Sequence, residues 1–98
     1  MFTGIVESLG RVKNRTAMGE DVRLHIETGG LDLAGSKDGD SILVSGVCLT
    51  MVQPGRQDFC ADVSAETMAL TTLGGIEAGQ SVNLELALTL SSRLEVGS

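Results

Sequence analysis

Cys48 and Thr50 stand two residues apart in the segment Ser41–Thr50, which reads Ser-Ile-Leu-Val-Ser-Gly-Val-Cys-Leu-Thr. In an extended strand that spacing puts a thiol and a hydroxyl on one face. If Val47, Leu49 and Met51 face a core, Cys48 and Thr50 face outward and could line a ligand pocket. The same residues also suit a small buried cysteine beside an ordinary strand threonine. Both readings stand on spacing alone. Asp62 and Ser64 form a second outward pair, followed by Glu66 and Thr67. Backbone N–H groups at a helix start can hold the acceptor atoms of a planar heterocycle. Ser64 can equally be a plain N-cap.

Other reactive types carry less. His25 lies on an alternating segment between Arg23 and Glu27 and reads as a solvated surface histidine. A single histidine in that setting supports no Ser-His-Asp set. Gly29-Gly30 and Gly74-Gly75 are turn signals, not a phosphate loop opening a helix. Glu66, Glu77 and Glu85 have no paired-carboxylate spacing. One His and two Cys cannot make a standard structural zinc site without carboxylates.

The elements that must position these residues are mostly strands, because the hydrophobic period is two. Residues 5–12 read as a first strand, with an interruption at Gly10. Residues 14–20 read as a polar turn. Val22, Leu24 and Ile26 alternate with Arg23, His25 and Glu27, the pattern of a half-buried strand. Residues 28–39 read as loop. Ile42–Val44 and Val47–Val52 flank Gly46, and Gln53–Arg56 is a turn around Pro54. Phe59, Ala61 and Val63 alternate with Cys60 and Asp62. Ser64–Leu70 predicts a short helix capped by Ser64 and stopped by Gly74-Gly75. Val82, Leu84, Leu86, Leu88 and Leu90 mark one face of a last strand. Asp38-Gly39-Asp40-Ser41 and Glu77-Ala78-Gly79-Gln80-Ser81 repeat one turn chemistry at two strand entries. About six short strands around one core predict a closed or nearly closed antiparallel barrel, since closure removes sheet edges.

The chain's 98 residues leave room for one domain. An apolar fraction of 42% is that of a globular protein. Seven basic against 13 acidic residues give a charge of −6, and Phe2 and Phe59 are the only aromatics. Nucleic-acid binding, which needs a basic footprint and stacking rings, is thereby excluded. No apolar run reaches the ~18 residues of a membrane helix. The opening Met1-Phe2-Thr3-Gly4 lacks the basic and apolar regions of a signal peptide, so a cytoplasmic location with free Cys48 and Cys60 is expected.

Four segments together resemble the riboflavin synthase family. Met1-Phe2-Thr3-Gly4-Ile5-Val6 is similar to its opening signature. Gly46-Val47-Cys48-Leu49-Thr50 resembles its NGxCLT segment, with Ser45 where Asn is usual. Ala65-Glu66-Thr67-Met68 followed by Thr71-Thr72-Leu73-Gly74 resembles its ETL…TxLG segment. Val82-Asn83-Leu84-Glu85-Leu86-Ala87 resembles its VNLERA strand. The four occur in order across residues 1 to about 94, matching the N-terminal half of that enzyme.

The resemblance implies a six-stranded antiparallel Greek-key barrel with one or two short helices, one of two similar lumazine-binding barrels in the full enzyme. That enzyme is typically a homotrimer. It dismutates two molecules of 6,7-dimethyl-8-ribityllumazine into riboflavin and 5-amino-6-ribitylamino-pyrimidinedione, without metal or organic cofactor. The substrate brings an acidic C7 methyl and an electrophilic ring, so the protein mainly aligns two rings and moves protons. By motif, Gly4, Ile5 and Val6 would line the pocket. Cys48, Leu49 and Thr50 would contact the heterocycle, with Ser41 nearby. Asp62, Val63, Ser64, Ala65, Glu66 and Thr67 would hold the ribityl chain and pyrimidine edge. Phe2 would sit beside the reacting rings, so Phe2, Ser41 and Cys48 are the candidate catalytic residues. Cys48 could be a nucleophile or a polar wall. No basic residue in its segment activates it, which favours the wall.

The sequence departs from the family after Arg93-Leu94. Glu95-Val96-Gly97-Ser98 stands where Gly-Gly-His is usual, before the second barrel. Residues 1–94 thus read as the N-terminal barrel and 95–98 as an engineered tail or truncated linker. Such a barrel should bind riboflavin or the lumazine, pair as a homodimer about a two-fold axis, and turn over little or not at all. The alternative is a non-catalytic lumazine- or flavin-binding antenna protein on the same fold.

Overall fold

The computed structural model describes residues 2–89, and the side chains of residues 7–86. Six strands form one antiparallel sheet: β1 (Phe2–Met18), β2 (Asp21–Glu27), β3 (Ser41–Val44), β4 (Val47–Thr50), β5 (Asp58–Val63) and β6 (Ser81–Thr89). Helix α1 (Ala65–Leu70) and a 3-10 helix (Thr72–Gly75) lie between β5 and β6. The order across the sheet is β4-β3-β6-β1-β2-β5. The sheet is barrel-like, its two ends meeting at one isolated bridge, and the long β1 serves two neighbours along its length. Residues 2–11 pair with β6 and residues 11–18 pair with β2, with a register shift between Val12 and Asn14. No ladder joins β4 to β5, the two ends of the order.

Gly10 does not interrupt β1. It sits where the strand passes closest to its surroundings. A Cβ there would lie 2.5 Å from the Glu27 carbonyl oxygen and 2.6 Å from Leu84 Cδ1. Only a residue without a side chain permits that approach. The polar stretch 14–20 is not a turn either. β1 continues to Met18, and only Gly19-Glu20 remain between the strands. Asn14, Arg15, Thr16 and Ala17 pair with His25, Leu24, Arg23 and Val22. The ladder to β2 supplies the backbone hydrogen bonds, so this end of β1 stays extended without an apolar face.

The repeated turn chemistry appears in the structure. Gly39 and Gly79 have φ of 94° and 93°, and Ser41 and Ser81 begin β3 and β6. Both glycines occupy a region that residues with a Cβ rarely adopt.

The alternating residues meet as expected inside the sheet. Leu24, Ile26, Ile42, Val44, Phe59, Ala61, Val63, Val82 and Leu84 are buried in one cluster. The loop from residue 28 to 40 also adds Leu31 and Leu33 to it. Thr28, fully buried, donates its hydroxyl to the Leu31 carbonyl at 2.5 Å, which satisfies a polar group that would otherwise be costly there.

Ser64 caps α1, its Oγ accepting from the Thr67 N–H at 3.1 Å. Gly74-Gly75 do not stop this helix. Thr71 does, in an extended conformation (φ −128°, ψ 170°). Its hydroxyl donates to the Thr67 carbonyl at 2.7 Å and accepts from Leu73 N–H at 3.2 Å. A side chain that competes for backbone partners at the last turn ends the helix before the glycines are reached. The glycines belong to the 3-10 helix.

Candidate functional site

The two ends of the sheet approach each other at one point. Val52, two residues beyond β4, exchanges both backbone hydrogen bonds with Cys60 of β5: Val52 N–H to Cys60 carbonyl at 2.7 Å and Cys60 N–H to Val52 carbonyl at 3.0 Å. Beyond this bridge β4 and β5 run without a ladder. The open seam between them is the candidate site.

Strand parity fixes which backbone groups face the seam. In an antiparallel pair the N–H and C=O of alternate residues point to opposite sides. Met51 bonds toward the β3 side, through Asp40 and Gly39. Val52 bonds the other way, toward β5. Thr50 and Cys48 share the parity of Val52, so their amides and carbonyls also point into the seam. Asp62 shares the parity of Cys60 and points back from β5. Continuing the Val52–Cys60 register sets Thr50 opposite Asp62 and Cys48 opposite Ser64. Unpaired strand-edge groups of this kind match a planar ring rich in carbonyls and ring nitrogens.

The side chains of the same residues face outward. Cys48, Thr50, Asp62 and Ser64 are exposed, while Leu49, Met51, Ala61 and Val63 are buried. The outward reading of Cys48 and Thr50 therefore holds. Ser41 is the register partner of Thr50, and half-buried Leu43 is that of Cys48. Leu49 and Val63 are buried and share the parity of Met51 and Ala61, so neither their side chains nor their backbone N–H and C=O groups point into the seam. Cys48 and Cys60 are free thiols.

At the α1 end, polar groups are largely engaged locally. Ser64 Oγ donates to Thr67 Oγ1 at 3.0 Å as well as capping Thr67 N–H. Ala65 N–H reaches Asp21 Oδ1 at 3.4 Å. The N-cap reading of Ser64 is thus realised. Ala65 and Glu66 are exposed and Thr67 is half-buried.

The N-terminal residues Phe2, Gly4, Ile5 and Val6 pair through their backbones with Thr89, Leu88, Ala87 and Leu86 of β6. In the sheet order β6 and β3 stand between them and β4. Their side chains lie outside the described residues, as do Leu90 and residues 93–98.

Two pairs escaped the sequence reading. Arg23 grips Asp62 with two parallel hydrogen bonds, Nε to Oδ1 at 2.6 Å and Nη2 to Oδ2 at 3.0 Å. The hydrogen bond from Arg23, aided by its charge and opposed by partial desolvation, holds the Asp62 carboxyl below its ordinary range. The same contact raises Arg23 further above its usual value. His25 is not simply solvated. It is half-buried, with Nε2 2.8 Å from Asp58 Oδ2. Arg23, His25, Asp58 and Asp62 all fall on the outward face of alternating strands. That signal was present in the sequence, but the β2–β5 register was not.

Among the described residues, no group of three or more His, Cys, Asp or Glu could hold a metal ion, and no helix is long and apolar enough to cross a membrane. A groove of ≈ 320 Å³ lined by Leu9, Gly10, Arg11, Glu27, Gly29, Gln57 and Ser81 lies away from the seam.

The Lumazine binding domain family matches residues 3–87. The chain is 50% identical over 96 residues to riboflavin synthase of Mycobacterium bovis, covering 96% of this chain and 47% of that one. It is 41% identical over 93 residues to riboflavin synthase of Photobacterium phosphoreum, covering 95% of this chain and 43% of that one. With riboflavin synthase of Schizosaccharomyces pombe it shares 39% identity over 95 residues, covering 96% and 45%. The chain spans about half the length of the curated relatives it matches.

Proposed function

The chain belongs to the lumazine binding domain family, and on that footing we propose that it binds one 6,7-dimethyl-8-ribityllumazine or riboflavin molecule at the β4–β5 seam. The observation that carries this reading is the convergence of the Cys48, Thr50 and Asp62 backbone edges on the seam, within the residues the family matches. The ring lies against β4, its carbonyls and nitrogens bonded by the strand edges. The ribityl chain runs toward Asp62 and Thr67.

The activity served is that of riboflavin synthase, a transferase, of which this barrel is the N-terminal half. Transfer of a four-carbon unit needs two lumazines stacked in register. This barrel supplies one ring site, so the single barrel binds strongly and turns over little. Cys48 acts as a polar wall of the site, and Ser41 sits beside Thr50. No metal or organic cofactor takes part. Two copies pair as a homodimer, and the location is cytoplasmic.

Titration of riboflavin with the protein, followed by flavin fluorescence, tests the site. Quenching that saturates at micromolar protein is expected. Absence of quenching overturns the proposal. Riboflavin formation from the lumazine, measured for this chain beside a two-barrel relative, tests the turnover statement. Equal rates would overturn it.

A further inference from the structure

Two carboxylates stand on the outward face of β5, Asp58 and Asp62, and β2 supplies a partner to each. Asp58 is bonded to His25 and lies on the closed side of the Val52–Cys60 bridge. Asp62 lies on the open side, opposite Thr50 by register. Its two oxygens each take one N–H from the planar fork of Arg23, at 2.6 and 3.0 Å. A carboxylate has about four acceptor positions, so about two stay open. The fork comes from the β2 side. The open positions therefore lie away from β2, toward the seam.

We propose that Arg23 is a positioning residue of the ligand site: it fixes the Asp62 carboxylate as an oriented acceptor for the hydroxyls of a ligand's polyol chain. This rests on the seam being the flavin or lumazine site. An unclamped aspartate would sample several rotamers and lose order on each binding event. The bidentate fork removes that freedom beforehand. It also keeps the group ionised, hence acceptor-only, which suits hydroxyl donors. The pair is solvent-accessible, with side chains 32% and 43% exposed, so it adds little to the fold. Its removal tests the site without unfolding the chain.

The test compares riboflavin with lumiflavin, which keeps the ring and replaces the ribityl chain by a methyl group. Arg23→Gln is expected to weaken riboflavin about five- to tenfold, less than the loss of a whole charge-assisted hydrogen bond because Asp62 remains and is only unclamped, and to change lumiflavin by less than about twofold. Arg23→Lys, which keeps charge but not the fork, should fall between. Asp62→Asn with Arg23→Gln should be no weaker than Asp62→Asn alone, because the arginine acts through the aspartate. Equal loss for both flavins, or no loss for riboflavin, overturns the role of Arg23 while leaving the seam as the site. A wild-type protein that quenches neither flavin overturns both. Thermal unfolding of each variant confirms that the fold is kept.

Discussion

Val52 and Cys60 form the single backbone bridge, 2.7 and 3.0 Å, that holds the two ends of the sheet together among the described residues. On one side of the bridge the chain turns back on itself, Gly55 N–H donating to the Asp58 carbonyl at 2.7 Å, and this side is closed. Everything on the other, toward Cys48 and Ser64, is the open seam. The bridge fixes the register of the two edges of the seam.

Val52→Pro removes the N–H of that bridge and leaves the Cys60 carbonyl without its partner. Stability should fall by about 2–3 kcal/mol in urea unfolding. Riboflavin affinity should fall with it, because the two edges lose their register. Val52→Ala keeps the N–H and should cost about 1 kcal/mol at most, with affinity nearly unchanged. If the proline variant binds riboflavin as tightly as wild type, the bridge does not set the site.

The β3–β4 turn carries a local strain that substitution can relieve. Ser45 and Gly46 have φ of 49° and 82°, the left-handed pair of a two-residue hairpin. Ser45 also donates its N–H to the Asn83 carbonyl at 2.7 Å, which any residue but proline retains. Asparagine tolerates this region better than serine. Ser45→Asn should raise stability by about 0.5 kcal/mol, seen as a higher urea midpoint with unchanged slope. A lower midpoint would place the strain elsewhere.

Asp62 makes stability depend on pH in a defined direction. Its folded-state pKa is lowered by the Arg23 hydrogen bond. The unfolded chain then binds the proton more readily. The contribution is present above the unfolded carboxylate range and is lost as pH falls through the lower, folded value. The pair is exposed, so the effect is small. Asp62→Asn should lower the thermal midpoint slightly at pH 7, and the difference should shrink as pH falls below the ordinary carboxylate range. A difference that grows on acidification would contradict the sign.

Much of this arrangement is legible in the residues. Alternation placed Phe59, Ala61 and Val63 inward and Cys48 and Thr50 outward, because burial acts on every second residue of a strand. The end of β1 was not legible. Asn14–Met18 has no apolar face, and its extended form is imposed by pairing with β2. The end of α1 was misread for a related reason: Thr71 competes for backbone bonds before the glycines act. The Arg23–Asp62 clamp needed the β2–β5 register, which no local pattern encodes. The outward face of β4 was predictable, but the seam required knowing that β4 and β5 are the two sheet ends.

Cys48 and Cys60 offer a direct readout of that seam. Cys48 is exposed, with its backbone aimed at the open side, whereas Cys60 is half-buried and itself forms the bridge with Val52. A maleimide should therefore label Cys48 first. A flavin seated along β4 covers the Cys48 thiol and leaves the surroundings of Cys60 unchanged. Saturating riboflavin should slow Cys48 labelling at least about tenfold, following the small fraction of unoccupied sites, and leave Cys60 labelling within about twofold. Peptide mass analysis after timed quenching separates the two cysteines. Protection of Cys60 with Cys48 unprotected would move the ligand off the outward face of β4. Protection of both to the same extent would point to a general tightening of the fold in place of a seated ring.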